Sequence, residues 1–150
     1  MAGVLPHITR CDRANCSCIA AVLRMSALRP TRQRLALGEL LLGGSPRHVS
    51  AEQLHTEAQQ AGIDVSLATV YNTLHQFQKA GLLRQVAVEA SRSYFDTDMS
   101  DHHHFYLEHE QRVIDIPPSA VVLQNWPEAP HGMKVTHVDV IVRVTRTTTT

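Results

Sequence analysis

Three consecutive histidines, His102, His103 and His104, are the residues of this chain best suited to chemistry. They follow an acidic segment at residues 96–101 and lead into apolar residues 105–107, a pattern typical of a β-strand. Because successive side chains in a strand point to opposite faces, His102 and His104 should share one face and His103 the other. Neutral imidazole is the commonest protein ligand for zinc and iron, haem iron included. The triplet therefore predicts a metal or haem sensor with two sites, and the alternative is a histidine-rich surface loop.

The composition limits the classes of protein to consider. The 150 residues, of which 43% are hydrophobic, suffice for one ordinary domain or two small ones. No run approaches the roughly 20 apolar residues that span a bilayer, and the start lacks a signal-peptide pattern. We therefore expect a cytoplasmic protein with no membrane partner. The cysteines, Cys11, Cys16 and Cys18, cluster near the start in an odd number, which argues against a disulfide framework.

The charges are distributed unevenly although the net charge is zero. Residues 1–90 carry nine Lys or Arg and six Asp or Glu, whereas residues 91–150 carry five and eight. A basic first half and an acidic, histidine-rich second half suggest contact with a polyanion followed by cation binding. A charge difference this small is also compatible with random scatter. Sequence motifs are therefore needed to decide whether the division of charge is functional.

The order of predicted elements in the first half is that of a winged helix-turn-helix. Thr31, Ser50 and Ser66 are suitable N-caps, and glycines follow each apolar periodic segment. A short polar turn then joins two segments with strand character. The helices are predicted at residues 30–43, 50–62 and 66–80, and the strands at residues 82–88 and 93–95.

The third helix has the outward residues expected of a recognition helix. Asn pairs with adenine in the major groove, and Thr or Ala methyl groups pack against the thymine methyl. Basic and hydroxyl side chains elsewhere in the same segment suit phosphate contacts, which set the register. The alternative is a helical interaction domain without a DNA role. The predicted DNA-binding residues are Thr31, Arg32, Arg34, Ser66, Ala68, Thr69, Tyr71, Asn72 and Arg84.

Four motifs, RPTRQR, HVSAEQL, SLATVYNTLHQFQKAGLL and HHHFY, occur in an order and spacing that resembles the ferric uptake regulator family. The similarity runs from about Arg29 to Arg146. YFDT, VIDIP and the PEAPHGM and HVDVIVR segments further resemble the iron response regulator branch of that family. The resemblance implies an α+β fold, in which an N-terminal winged helix-turn-helix precedes a small α/β dimerisation domain. It also implies a homodimer that binds AT-rich inverted repeats in double-stranded promoter DNA and is not an enzyme.

The predicted domain organisation follows from the motifs and the resemblance together. In the second half, strands are predicted at residues 105–108, 112–116 and 134–146, with a short helix at Ser119–Trp126. The domains are expected at residues 1–28 (tail and first helix), 29–96 (winged helix), 97–101 (hinge), 102–146 (dimerisation and sensing) and 147–150 (tail).

The resemblance implies a regulatory cation site at the hinge, made of His48, Asp96, His102, His104 and Asp115. Three imidazoles with carboxylate oxygens suit Fe(II), Mn(II) or Zn(II). The family more often has Glu at the Asp96 position, so the identity of the metal stays open.

Two other metal sites of the family are altered in this sequence. The segment after the triplet, residues 107–110, has no CxxC, which excludes a four-cysteine structural zinc site. The second site would use Asp101, His103, Val122 and Val138, and the two valines cannot ligate. Asp101 and His103, with nearby His137, remain a weaker candidate site for haem or a second metal.

The iron response regulator branch implies regulation by haem, with loss of DNA binding when haem binds. Haem and a haem-delivering enzyme are therefore expected partners. The Cys-Pro haem motif of some branch members is missing, but Cys16 and Cys18 offer thiolates that can ligate ferric haem. The same cysteines could instead bind zinc or copper, oxidise, or have no role.

Two further functions were weighed against a haem-responsive regulator. The first is a peroxide- or Fe/Mn-responsive repressor of the same family, in which iron beside Asp96 would oxidise a neighbouring histidine. The second is a metal-dependent hydrolase built on the His/Asp cluster. The hydrolase is disfavoured because no nucleophile, general base or phosphate-binding loop accompanies the cluster.

Overall fold

The computed structural model describes residues 16–147 of the chain and the side chains from Cys18 onward. Two compact units meet at a boundary between Met99 and Ser100. Among the described residues, no helix is both long enough and apolar enough to cross a membrane.

In the described part of the first unit, residues 16–99, there are four helices, and three of them are capped by the residues that the sequence predicts. Thr31 Oγ1 accepts a hydrogen bond from the Arg34 amide at 3.3 Å, and Ser66 Oγ accepts one from the Thr69 amide at 3.1 Å. Ser50 forms a reciprocal capping box with Gln53. The helices are α1 (Cys16–Met25), α2 (Arg32–Leu42), α3 (Ala51–Gln60) and α4 (Leu67–Lys79).

Glycines in the left-handed conformation end α3 and α4. Gly62 has a φ of +72° and Gly81 a φ of +77°, which an L side chain rarely adopts. After each glycine the chain turns back, and the Leu82 amide donates to the Phe77 carbonyl at 2.9 Å. This turn returns Leu82, itself buried, to the core at the start of the hairpin.

The core of the first unit is built on the apolar stripe of α4. Val70, Leu74 and Phe77 are fully buried, and Leu67 is partly buried against them, as the periodicity predicts. Burial of each such side chain contributes about 1.5–3 kcal/mol. The opposite face of α4 is consequently left for the solvent or for a ligand. The stripe packs against Ile19, Leu23, Leu37, Leu41, Val49, Leu54 and Phe95.

A three-stranded antiparallel sheet completes the first unit. Its strands are β1 (His48–Val49), β2 (Arg84–Glu89) and β3 (Arg92–Asp96), in the order β1-β3-β2. The sequence predicts the β2–β3 hairpin but not β1, since two residues carry no period-two signal. The pairing places His48 opposite Asp96.

The second unit contains a separate three-stranded sheet. Its strands are β4 (His103–Leu107), β5 (Arg112–Ile116) and β6 (Ile141–Val144), in the order β5-β4-β6. β4 pairs antiparallel with β5 and parallel with β6. The predicted alternation is confirmed, because His104 and Tyr106 are buried whereas His103 and Phe105 are half-buried.

Two predictions for the second unit are wrong. The expected helix at Ser119–Trp126 is only a 3-10 turn at Pro118–Ala120, and residues 121–126 are irregular. Val121 and Val122 are β-branched, and Trp126 precedes a proline, which disfavours the helical conformation. Asn125 also has a positive φ of 57°. The last strand begins at Ile141 and not at Lys134, because only residues 141–144 pair with β4.

Candidate functional site

Within the first unit, His48 and Asp96 form a buried imidazole–carboxylate pair. His48 Nε2 lies 3.2 Å from Asp96 Oδ2, and the Asp96 side chain is only 1% exposed. The other carboxylate oxygen, Oδ1, accepts a hydrogen bond from the Asp98 amide at 2.8 Å. The backbone after β3 therefore orients the carboxylate so that its second oxygen is directed to His48.

Within the second unit, His102, His104 and Asp115 form a compact group of ligand atoms. His104 and Asp115 are directly paired across β4 and β5. Asp115 Oδ1 lies 3.1 Å from His102 Nε2 and 3.8 Å from His104 Nε2. The two rings meet edge to face with centroids 4.6 Å apart, and both side chains are buried. One ligand atom from each of the three residues lies within 4.8 Å of the others, a spacing that a metal ion requires.

The Ser100 carbonyl determines which nitrogen of His102 is available. His102 Nδ1 lies 2.7 Å from this oxygen, and since a carbonyl can only accept, Nδ1 carries the proton and donates. The lone pair of the neutral ring is then on Nε2, which is the nitrogen beside Asp115. A metal-ligating histidine usually donates the N–H of its other ring nitrogen to a carbonyl or carboxylate oxygen, as His102 does here. No sequence pattern indicates Ser100, because the contact is made by its backbone carbonyl.

The ligand types of both groups suit a divalent cation. Imidazole nitrogen and carboxylate oxygen together are typical donors to zinc, iron and manganese. The sequence-predicted metal residues thus occur as a pair in the first unit and as a group of three in the second.

His103 lies on the opposite face of β4 and has a different environment. Its Nδ1 accepts a hydrogen bond from the Val140 amide at 3.3 Å, which ties it to the segment before β6. His137 Nε2 lies 2.9 Å from Asp139 Oδ1. Along the part of the chain that the structure describes, neither histidine nor Asp101 belongs to a group with metal-ligand spacing.

Asp101, His103 and His137 do share a cavity of about 310 Å³ in the second unit. The side chain of Trp126, which is 54% exposed, lies at this cavity. The lining combines apolar and imidazole side chains. It consists of Asp101, His102, His103, Pro118, Trp126, Val135, Thr136, His137 and Val138.

The predicted recognition surface lies on α4, and its members differ in what they already contact. Ala68 and Asn72 are exposed, as the prediction requires. Ser66 and Thr69 bind each other, with their hydroxyl oxygens 2.9 Å apart, so they help to cap α4. In the remainder of the predicted DNA-binding set, Thr31 and Arg32 are exposed and Arg84 on β2 is half-buried.

Arg34, predicted as a phosphate contact, is engaged within the first unit. Its Nε and Nη2 donate to Gln76 Oε1 at 3.0 and 2.8 Å, and Nη1 donates to the Arg29 carbonyl at 2.9 Å. These bonds connect α2 to α4. The side chain therefore fixes the position of the recognition helix in addition to contributing positive charge.

Tyr71, on α4, contacts Glu52, a residue of α3 that no sequence motif marks as functional. Its hydroxyl donates to Glu52 Oε1 at 2.6 Å. This hydrogen bond lowers the pKa of the Glu52 carboxyl and raises the pKa of the Tyr71 phenol. The signal was absent from the sequence because the two residues lie on different helices.

Cys18 is disulfide-bonded, which the sequence did not predict. Cys11 and the side chain of Cys16 lie outside the described residues. A sulfur in a disulfide is not a thiolate ligand. The predicted haem role of the tail cysteines therefore concerns the reduced chain.

A winged helix, a second small sheet unit and groups of imidazole and carboxylate side chains are the features of a metal-responsive, DNA-binding transcription regulator, and the family match assigns the chain to that class. The chain belongs to the ferric uptake regulator family, whose sequence model matches residues 25–143. The family prediction made from the motifs is thus confirmed.

Individual relatives and structures agree with this assignment. The chain is 32% identical over 117 residues to the ferric uptake regulation protein of Shigella flexneri, covering 77% of this chain and 79% of the relative. The ferric uptake regulator of Pseudomonas aeruginosa with manganese superposes with a TM-score of 0.65, at 26% identity, over 85% of this chain and 97% of that one. The regulator of Vibrio cholerae gives a TM-score of 0.67 at 23% identity over 85% and 98%, which supports the fold.

Proposed function

We propose that this chain is a cytoplasmic, iron-sensing repressor, and that one divalent cation, Fe(II) or Mn(II), is held by His48, Asp96, His102, His104 and Asp115. The observation that carries the proposal is the position of His102 Nε2 beside Asp115 Oδ1 at 3.1 Å. Because Nδ1 donates to the Ser100 carbonyl, the neutral ring presents a lone pair to the carboxylate. Two lone-pair atoms at this distance repel unless a proton or a cation lies between them.

One cation shared by the pair in the first unit (His48 and Asp96) and by the group of three in the second (His102, His104 and Asp115) would couple the two units. With one donor atom from each residue, the group of three and the pair together offer five donors, which lies within the four to six ligands that zinc, iron and manganese take. A cation that takes donors from both restricts how the DNA-binding unit is oriented. Manganese is supported by the similar Pseudomonas aeruginosa regulator, which was solved with that metal.

The DNA-binding form is proposed to be a homodimer on an AT-rich inverted repeat. In the second unit, Ile114, Phe105 and Val142 are paired across β5, β4 and β6 and form one apolar row. Ile114 and Val142 are each 37% exposed. A second copy of the chain would bury this row, and two-fold symmetry would match the two half-sites of the repeat.

We further propose that haem is the physiological signal and lowers the affinity for DNA, as in the iron response regulator branch. The cavity beside Trp126 supports this, since its lining combines the imidazoles of His103 and His137 with apolar side chains. Ligation by His103 through Nδ1 would break its hydrogen bond from the Val140 amide and so disturb the start of β6. Haem would reach the protein from a haem-delivering enzyme, and the regulated genes would be those of iron and haem homeostasis.

The proposal is tested by fluorescence anisotropy of the reduced protein on an AT-rich inverted repeat, titrated in parallel with Mn(II) and with haem. Ionic strength is held fixed, because phosphate contacts make DNA affinity strongly dependent on salt. We expect Mn(II) to preserve or strengthen binding and haem to weaken it. Binding that requires Mn(II) and is unchanged by haem would support the cation-responsive repressor and exclude the haem response. If the protein showed no preference for the repeat over a scrambled duplex at any cation concentration, the proposed operator would be wrong.

A further inference from the structure

The hydrogen bond between Tyr71 and Glu52 lies on the same surface as the predicted base-reading residues. Tyr71 is on α4 beside the exposed Asn72, and it is itself 37% exposed. Its hydroxyl reaches Glu52 Oε1, in the first turn of α3, at 2.6 Å. The contact therefore crosses from the first helix of the helix-turn-helix to the recognition helix, and neither residue is in the metal-binding groups.

The position of Glu52 is unfavourable for a surface that must approach phosphates. A carboxylate there repels the DNA backbone, so its presence requires a compensating role. Part of that role is local, since Glu52 lies in the first turn of α3, beside the capping box of Ser50 and Gln53, and accepts from its own backbone amide. The hydrogen bond from Tyr71 is the other part. The hydrogen bond from Tyr71 lowers the pKa of Glu52 most, and the positive charge of Arg92, at the start of β3, lowers it further by a smaller amount. The carboxylate is thus kept ionised beside α4.

The consequence for Tyr71 is restriction of its side chain. An exposed side chain without a fixed partner changes rotamer in picoseconds to nanoseconds. A tyrosine has two variable χ angles, and a short hydrogen bond at the end of the ring fixes both. The ring then presents one edge and one face before DNA arrives, and this lowers the entropy lost on binding.

We propose that Glu52 is a positioning residue that holds the ring of Tyr71 in the orientation in which it contacts a base of the operator. The proposal rests on the DNA-binding function of α4. Glu52 thereby increases discrimination between operator and other DNA, at the expense of overall affinity for phosphates. Its effect is transmitted through Tyr71 and not through a contact of its own with DNA.

The test is a double-mutant cycle with Glu52→Ala, Tyr71→Phe and the double variant of the full chain, loaded with Mn(II). Affinities are measured for a duplex that the wild-type chain selects from a random-sequence library and for a scrambled duplex of equal length. Each single variant should reduce the ratio of the two affinities by about 5–20-fold, and the double variant should be no worse than either single one. Glu52→Gln, whose amide oxygen still accepts from Tyr71, should keep the ratio within about twofold of wild type.

The matched control is Glu39→Ala, which removes an equal charge from an exposed position of α2. It should leave the ratio unchanged, and circular dichroism should show native helix content in every variant. Two outcomes would mean that Glu52 acts only through its charge and would overturn the proposal. In the first, the reductions of the affinity ratio in the single variants add up in the double variant. In the second, Glu52→Ala increases the affinity for both duplexes by the same factor. If the wild-type chain selects no sequence from the library, the DNA-reading function fails and the proposal fails with it. A wild-type chain that discriminates while Glu52→Ala discriminates equally well would overturn the positioning role alone.

Discussion

His48 and Asp96 face each other across β1 and β3, with Nε2 of the imidazole 3.2 Å from Oδ2 of the carboxylate. β1 is only two residues long, so its pairing with the last residues of the hairpin has little effect on the size of the sheet. The pairing brings the His48 imidazole, which precedes α3, next to the Asp96 carboxylate at the end of β3. This arrangement holds the two proposed ligands in a fixed relative position at the end of the wing.

Replacement of Asp96 by Asn should therefore remove cation binding with little change in local structure. The Asn side-chain oxygen can still accept from the Asp98 amide, but the charge that binds the metal is lost. We expect the affinity for Mn(II) to fall by at least about 100-fold, beyond the 10–100-fold typical of outer-sphere changes. At a Mn(II) concentration of about 100 times the wild-type Kd, the stabilisation of about 2.7 kcal/mol seen in thermal unfolding should disappear. Asp98→Asn is the matched control and should retain it.

The alternation of the histidine triplet makes a second prediction. His102 and His104 lie on one face of β4 with Asp115, whereas His103 faces the cavity. His102→Ala and His104→Ala should each weaken Mn(II) binding by about 100-fold or more, measured by isothermal titration calorimetry. His103→Ala should leave it within about threefold of wild type and should weaken haem binding, measured from the Soret band. An equal loss of Mn(II) affinity in all three variants would contradict the division into two faces.

The sequence was sufficient for those parts of the fold that are specified locally. α2, α3 and α4 begin at Thr31, Ser50 and Ser66, because capping chemistry involves residues two or three positions apart. β1 could not be predicted, since its existence depends on pairing with β3 some 47 residues later. The predicted helix at Ser119–Trp126 does not form beyond Ala120, because the β-branched pair at 121–122 and the proline after Trp126 disfavour it.

The candidate site, like the fold, could be predicted only where residue type and local spacing determine it. Residue types and the resemblance identified the imidazole and carboxylate ligands, and strand alternation separated His103 from its neighbours. The Ser100 carbonyl that orients His102, and the Glu52 carboxylate that accepts from Tyr71, were not predictable. Both contacts depend on the path of the backbone or on how two helices pack, and neither leaves a pattern in the order of residues.

The close approach of α1 and α2 at Gly38 gives a prediction about stability. A Cβ at Gly38 would lie 2.7 Å from Ile19 Cγ2, an atom attached to a rigid branched carbon. Gly38→Ala should destabilise the protein by about 1–2 kcal/mol, since overpacking of about 1–3 kcal/mol exceeds the gain of up to about 1 kcal/mol in helix propensity. Urea unfolding measures the change. In an Ile19→Ala background the obstructing methyl is absent, so the same substitution should stabilise by about 0.5–1 kcal/mol; destabilisation there would contradict the packing argument.

The hydrogen bond between Tyr71 and Glu52 should give stability a specific dependence on pH. The pKa of Glu52 is lowered from its ordinary value of 4.5, so in acid the unfolded chain binds more protons than the native one. The contribution of the bond is therefore fully present above pH 4.5 and is lost as the pH falls through the depressed pKa. The pKa of Tyr71 is raised from 10.0, so the contribution is also lost as the pH rises above that value.

We expect Tyr71→Phe to reduce the free energy of unfolding by about 0.5–1 kcal/mol across the neutral range, at the low end for hydrogen bonds because both groups are exposed. The difference between wild type and Tyr71→Phe should shrink as the pH falls from 4.5 through the depressed pKa of Glu52, as measured by urea unfolding at a series of pH values. In a Glu52→Ala background, Tyr71→Phe should cause a smaller loss that does not change over the acid range. A difference that did not change at all as the pH was lowered from 4.5 to the onset of acid unfolding would show that the hydroxyl stabilises the fold through another partner.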